Sequence, residues 1–110
     1  MAIRLLNKRA QSPRDMVPIC TFESFEAYWK PGGQALCLEL VPVLNALSIR
    51  TVDNNTDQIP ILIDELRRLR DWFIAHAPKE EQQYLLSRTD NFIHELELIS
   101  TDALIDIDIG

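Results

Sequence analysis

Residues 57–100, DQIPILIDELRRLRDWFIAHAPKEEQQYLLSRTDNFIHELELIS, carry the pattern on which the architecture turns. Ile59, Leu62, Ile63, Leu66, Leu69 and Phe73 recur at helical spacing, an apolar stripe that must face a core. Asp64, Arg67, Arg68 and Asp71 fall on the opposite side, spaced to pair along the helix. The turn cluster Asp53-Asn54-Asn55-Thr56-Asp57 precedes it and offers Thr56 or Asp57 as an N-cap. Pro60 is tolerable because it falls in the first turn. The pattern predicts a helix over about 58–77. Ala77-Pro78 breaks it, and Pro78 suits the first position of a second helix, 79–99. Lys79-Glu80-Glu81 places acids near the positive pole of that helix. Its stripe is Leu85, Phe92, Leu96 and Ile99, widened by Leu86 and Ile93. So short a connection makes the two helices antiparallel neighbours, an αα-hairpin.

Beyond Ser100-Thr101-Asp102 the period changes from 3.6 to 2. In Ala103-Leu104-Ile105-Asp106-Ile107-Asp108-Ile109 the isoleucines face one way and the aspartates the other, which predicts a final strand over 103–109. At the other end, residues 2–6 read as a short strand, followed by a polar, basic stretch to Asp15. Opposite charges favour strand neighbours, so the basic first strand and the acidic last strand are expected to pair. Phe22, Phe25, Tyr28 and Trp29 fit one face of a short helix capped by Thr21 and ended by Pro31-Gly32-Gly33. Residues 35–52, ALCLELVPVLNALSIRTV, fit either a helix or two strands. A helix would hold Pro42 in its interior at about 3 kcal/mol. Strands over 35–41 and 46–52, with a turn at 42–45, are therefore expected. The fold class is α+β: one domain over residues 1–110, a short antiparallel or mixed sheet packed against the helical hairpin.

With 110 residues, 46% apolar and 25% charged, the chain has the composition of a globular domain. Net charge is −6, unevenly spread: residues 1–20 hold four basic side chains against one acid, and the last twenty hold five acids and no Lys or Arg. Such a surface repels a phosphate backbone, which argues against nucleic acid as a partner and suits a basic protein. No apolar run approaches the length of a membrane span. The first residues turn basic after two or three apolar ones, unlike a secretory signal, so a cytoplasmic location is expected. Cys20 and Cys37 stand alone, without the short-spaced pairs a zinc site needs, and read as two small buried thiols in a reducing compartment.

Chemistry-bearing motifs are scarce. Three glycines do not compose a nucleophile elbow, a dinucleotide-binding loop or a P-loop. His94-Glu95 opens like a zinc-protease motif, but Leu98 stands where the second histidine belongs. His76 falls in the last helical turn, where the helix dipole favours an imidazole that is partly charged. No cofactor, metal or catalytic residue is therefore expected. Asp106 and Asp108 share one strand face without the wrapping loop that a hard cation requires. Arg67, Arg68 and Arg70 form the one local basic cluster, and with Trp72 they compose a possible contact patch. A solvated face neutralised by Asp64 and Asp71 is the competing description. Trp29 is a second interface candidate. These features lead us to expect a non-catalytic protein-binding module, for example an immunity or inhibitor-type protein. It would meet a basic partner through Asp106, Asp108, Arg67, Arg68 and Trp72. Two alternatives are a homo-oligomeric assembly protein, if Ile61, Trp72, Ile74 and Leu98 are exposed, and a small enzyme using His76 or His94.

Overall fold

The computed structural model describes residues 2–8 and 16–110. The basic stretch expected after the first strand lies largely in 9–15, outside the described residues. The described chain is an α+β domain in which a four-stranded antiparallel sheet carries helices on one face. Strands β1 (Ala2–Asn7), β2 (Met16–Thr21), β3 (Leu47–Arg50) and β4 (Asp106–Ile109) lie in the order β2-β1-β4-β3. The first and last strands thus pair at the centre, with Leu5 opposite Ile109 and Asn7 opposite Ile107. Alternation works as read: Ile105, Ile107 and Ile109 are buried, while Asp106 and Asp108 lie on the outer face.

The final strand is shorter than expected because residues 103–105 approach from a loop. That loop is fastened where Thr51 N–H donates to the Ile105 carbonyl and Ile105 N–H to Thr51 Oγ1. Strand β2 has no clean alternation in sequence. A bulge opposite Ile3 and Arg4 sends the consecutive residues Ile19 and Cys20 both inward. Pro18 sits on this edge strand, where the donor it lacks is not needed. At the other edge, the Asn55 side chain accepts from Arg50 N–H and donates to the Ser48 carbonyl. Both outer edges are thereby blunted against pairing with another chain.

Helices α1 (Phe22–Ser24) and α2 (Lys30–Ala35) are joined by a π-helical turn, Phe25–Trp29, and run as one winding segment. Thr21 caps it as expected, its Oγ1 accepting from Ser24 N–H at 3.0 Å. Pro31-Gly32-Gly33 does not end the segment. The wide turn closes through Lys30 N–H to the Phe25 carbonyl and removes the clash that Pro31 would otherwise make with the preceding turn. Phe25 and Trp29 are buried, Tyr28 is half-buried and Phe22 faces out. Gly32 is there for close approach: a Cβ would lie 2.6 Å from Leu69 Cδ1 and 2.8 Å from the Trp72 ring.

The strand expected over 35–41 does not form. After Ala35 the chain makes a Schellman turn, Leu38 N–H reaching the Gly33 carbonyl and Cys37 N–H the Gln34 carbonyl. Cys37 holds the left-handed position of this motif at φ 57°, where glycine is the usual residue. Replacing Cys37 with glycine is expected to raise stability by up to about 1 kcal/mol, read as a higher urea midpoint, because relief of the Cβ clash exceeds glycine's added chain entropy. A 3-10 helix, Val41–Ala46, follows, with Pro42 tolerated in its first turn. Of the second expected strand only Leu47–Arg50 forms, and a 3-10 turn, Thr51–Asp53, ends it.

Helices α3 (Gln58–His76) and α4 (Lys79–Ile99) make the predicted hairpin. Asp57 takes the cap position without a capping hydrogen bond, and Pro78 is the residue before α4, not its first. The stripes bury as read, except that Ile63 and Leu86 are half-exposed. Trp29, Phe25, Phe73 and Phe92 form the bulk of one core with the inner sheet face.

Candidate functional site

On the outer sheet face Asp106 and Asp108 are held by their neighbours. Arg50 Nε donates to Asp106 Oδ1 at 3.1 Å and its Nη2 to Asp108 Oδ1 at 3.3 Å, while Lys8 Nζ lies 2.7 Å from Asp108 Oδ2. Ser48 Oγ also donates to Asp108 Oδ1. The hydrogen bonds from Lys8 and Ser48, with Arg50 nearby, hold the Asp108 carboxyl below the usual range. These acids are therefore part of a five-residue network that ties β3 and β4 to the residue after β1, rather than free negative charge.

Two of the three arginines of α3 are likewise engaged, through ion pairs to α4 and not to Asp64 or Asp71. Arg67 pairs with Glu97 at 3.5 Å and Arg70 with Asp90 at 2.7 Å, both across to α4. A single-helix reading could place these residues on a face but not find the neighbouring helix. Arg68 has no carboxylate within 4.0 Å among the described residues and lies beside Cys37, Glu39 and Asp64. Trp72 is half-buried over Gly32, edge-on to Phe73, with its ring stacked on His76 at 4.7 Å. Arg67, Arg68 and Trp72 accordingly do not converge with the two aspartates of β4. Trp29 is fully buried, so it cannot be an interface residue.

The remaining candidates separate in the same way. His76 is exposed and its Nδ1–H donates to the Trp72 carbonyl; His94 is exposed on α4. Neither has a carboxylate within 4.0 Å among the described residues, where no group of three or more potential metal ligands occurs either. Both cysteines are free thiols. Cys20 is buried as expected, and burial pushes its thiol up to about 12, partly opposed by Arg88. Cys37, in contrast, is exposed, because it terminates α2 instead of lying in a strand. No helix of the described chain is long and apolar enough to cross a membrane.

Two features were missed in the sequence. Glu65 is 5% exposed on the buried face of α3. Its carboxylate accepts from the backbone N–H groups of Leu40 at 3.0 Å and Val41 at 3.1 Å, with Glu39 at 3.4 Å. A residue distant in sequence thus caps the 3-10 helix. The signal was present, since position 65 lies on the same stripe as Leu62, Leu66 and Leu69. The second is a groove of about 380 Å³ between the start of α3 and the end of α4. Ile59, Ile63, Ala103 and Ile105 supply apolar wall, and Thr51, Ser100 and Asp102 its polar rim. The hydrogen bonds between Thr51 and Ile105 bring loops 51–57 and 100–105 together there. Val52, 86% exposed, and Leu104, 50% exposed, adjoin lining residues.

Comparison with family models, curated proteins and solved structures finds no match for this chain.

Proposed function

We propose that this protein is a non-catalytic binding module that presents an acidic surface to a basic partner protein, as an inhibitor or immunity-type protein does. One observation carries the reading. The two fastened loops carry three acids, Asp53, Asp57 and Asp102, none of which has a cation within 4.0 Å among the described residues. The engagement of Asp106 and Asp108 moves the proposed contact from β4 to these loops. Charge placed so speeds encounter with a basic surface and makes it salt-dependent. Two free thiols suit a reducing compartment such as the cytoplasm.

A tagged chain incubated with lysate of its own cells should retain one stoichiometric basic protein at low salt and release it at high salt. Substituting Asp53→Lys, Asp57→Lys and Asp102→Lys together should abolish retention while the circular dichroism spectrum is unchanged. Full retention by that variant, or no salt-labile partner, refutes the reading.

Self-association is the second reading, favoured by Ile61, Ile74 and Leu98, which are 46%, 47% and 53% exposed on the helices. A monomer by sedimentation equilibrium at high concentration eliminates it.

A further inference from the structure

We infer that a pocket of about 400 Å³ between the π-helical turn and the start of α4 receives an arginine side chain of a partner protein. This rests on the binding-module reading for the source of the arginine. It adds a contact at the far end of α4, about 30 Å from loop 100–105 at 1.5 Å per residue.

Two walls that only folding brings together supply the same two kinds of group. Tyr28 and Glu23 come from the winding segment, Tyr84 and Glu81 from α4. An aromatic face attracts a cation, and the flat guanidinium stacks on one readily. Tyr84 does this within the chain, where Arg88 Cζ lies 5.3 Å from its ring centroid. Arg88 itself lines the adjoining surface and not this pocket. Neither Glu23 nor Glu81 has a cation within 4.0 Å among the described residues.

The helix poles nearby do not reverse the sign. Glu23 and Glu81 each lie in a first helical turn, and such a pole carries about half a positive charge against the full negative charge of a carboxylate. Glu80, also in the first turn of α4, adds another acid. Lys79 is two residues from Glu81, about 200° round the helix, and does not line the pocket.

Hydrogen bonding selects guanidinium over other cations. The hydroxyls of Tyr28 and Tyr84 make no hydrogen bond among the described residues. Ser24, on the same wall, holds its Oγ buried without a partner. Carboxylates only accept and hydroxyls accept as well as donate, so the lining is rich in acceptors that lack donors. An arginine brings five N–H donors, a lysine three and a quaternary ammonium none.

The test is an amide-resolved NMR titration of the whole chain at low ionic strength with acetyl-Gly-Arg-Gly-amide. The controls carry neutral citrulline or trimethyllysine in place of the arginine. The arginine peptide should shift the amides of Ser24, Tyr28, Glu81 and Tyr84. The citrulline peptide should bind about tenfold more weakly, the combined worth of two exposed ion pairs, and the trimethyllysine peptide should fall between them. Glu23→Gln with Glu81→Gln should remove most of the difference between arginine and citrulline. Tyr28→Leu should weaken the arginine peptide about threefold, the worth of an exposed cation–π contact, while Tyr28→Phe, which keeps the ring, should cost less. Equal binding of the arginine and citrulline peptides, or of the arginine and trimethyllysine peptides, would overturn the inference. So would shifts confined to other amides, or no shift by about 10 mM peptide, a level that reveals even millimolar affinity. The lysate experiment separates the two claims. Arginine-selective shifts in a chain that retains no lysate partner uphold the pocket and refute the module; a salt-labile partner without such shifts does the reverse.

Discussion

Replacing Trp29 with alanine should lower the free energy of unfolding by about 3–5 kcal/mol, the usual cost of truncating a large aromatic in a core. Trp29 is 0% exposed and meets Phe73 of α3 edge-on, with ring centroids 5.8 Å apart. It projects from the π turn, so its removal opens a void where that turn packs on the hairpin. A domain of this size has about 5–15 kcal/mol to lose, so the variant should show a much lower urea midpoint and thermal transition. Trp29→Phe should cost less, because it keeps an aromatic ring there and removes an indole N–H that is buried without a hydrogen-bond partner. A loss below about 1 kcal/mol for the alanine variant would show that this site collapses freely. The same experiment on Trp72, which is half-buried, should give a smaller effect.

Glu65→Ala is expected to cost about 3 kcal/mol, a loss that the hydrophobic stripe of α3 would not suggest. Truncation strands the N–H groups of Leu40 and Val41, which the carboxylate now accepts at 3.0 and 3.1 Å, at the start of the 3-10 helix. Buried donors without acceptors are costlier than the hydrogen bonds are worth. Glu65→Gln keeps one carbonyl acceptor and should recover part of the loss, whereas Glu65→Leu should not, despite its better hydrophobic fit to the helix stripe. Urea denaturation of the three variants checks the order. Equal stability of the leucine variant and wild type would mean that the 3-10 helix needs no cap.

The helical hairpin was legible because its apolar residues lie close in sequence and repeat with one period over forty residues. The alternation of 103–109 and the pairing of the terminal strands were legible for the same reason, since period and charge are local properties. Residues 35–41 misled because Leu36, Leu38 and Leu40 alternate like a strand while Gly33 and Cys37 shape a helix C-terminus. That geometry depends on a left-handed residue that is not glycine. Residues 16–21 were unreadable because a bulge and Pro18 break the alternation. Asp106, Asp108 and Arg67 look like free surface charge in a linear chain, and only packing brings Arg50, Lys8 and Glu97 to them.

From residues alone follow the fold class, the hairpin, the inward face of the last strand and the absence of familiar catalytic loops, all set by short-range periodicity and motif. Folding decided the rest: which acids are neutralised, that Trp29 is core, that Glu65 caps a segment some twenty-five positions away, and where a groove opens between the start of α3 and the end of α4. The reason is that ion pairs, caps and clefts are relations between side chains distant in sequence, and a chain specifies them only through the packing that brings them together.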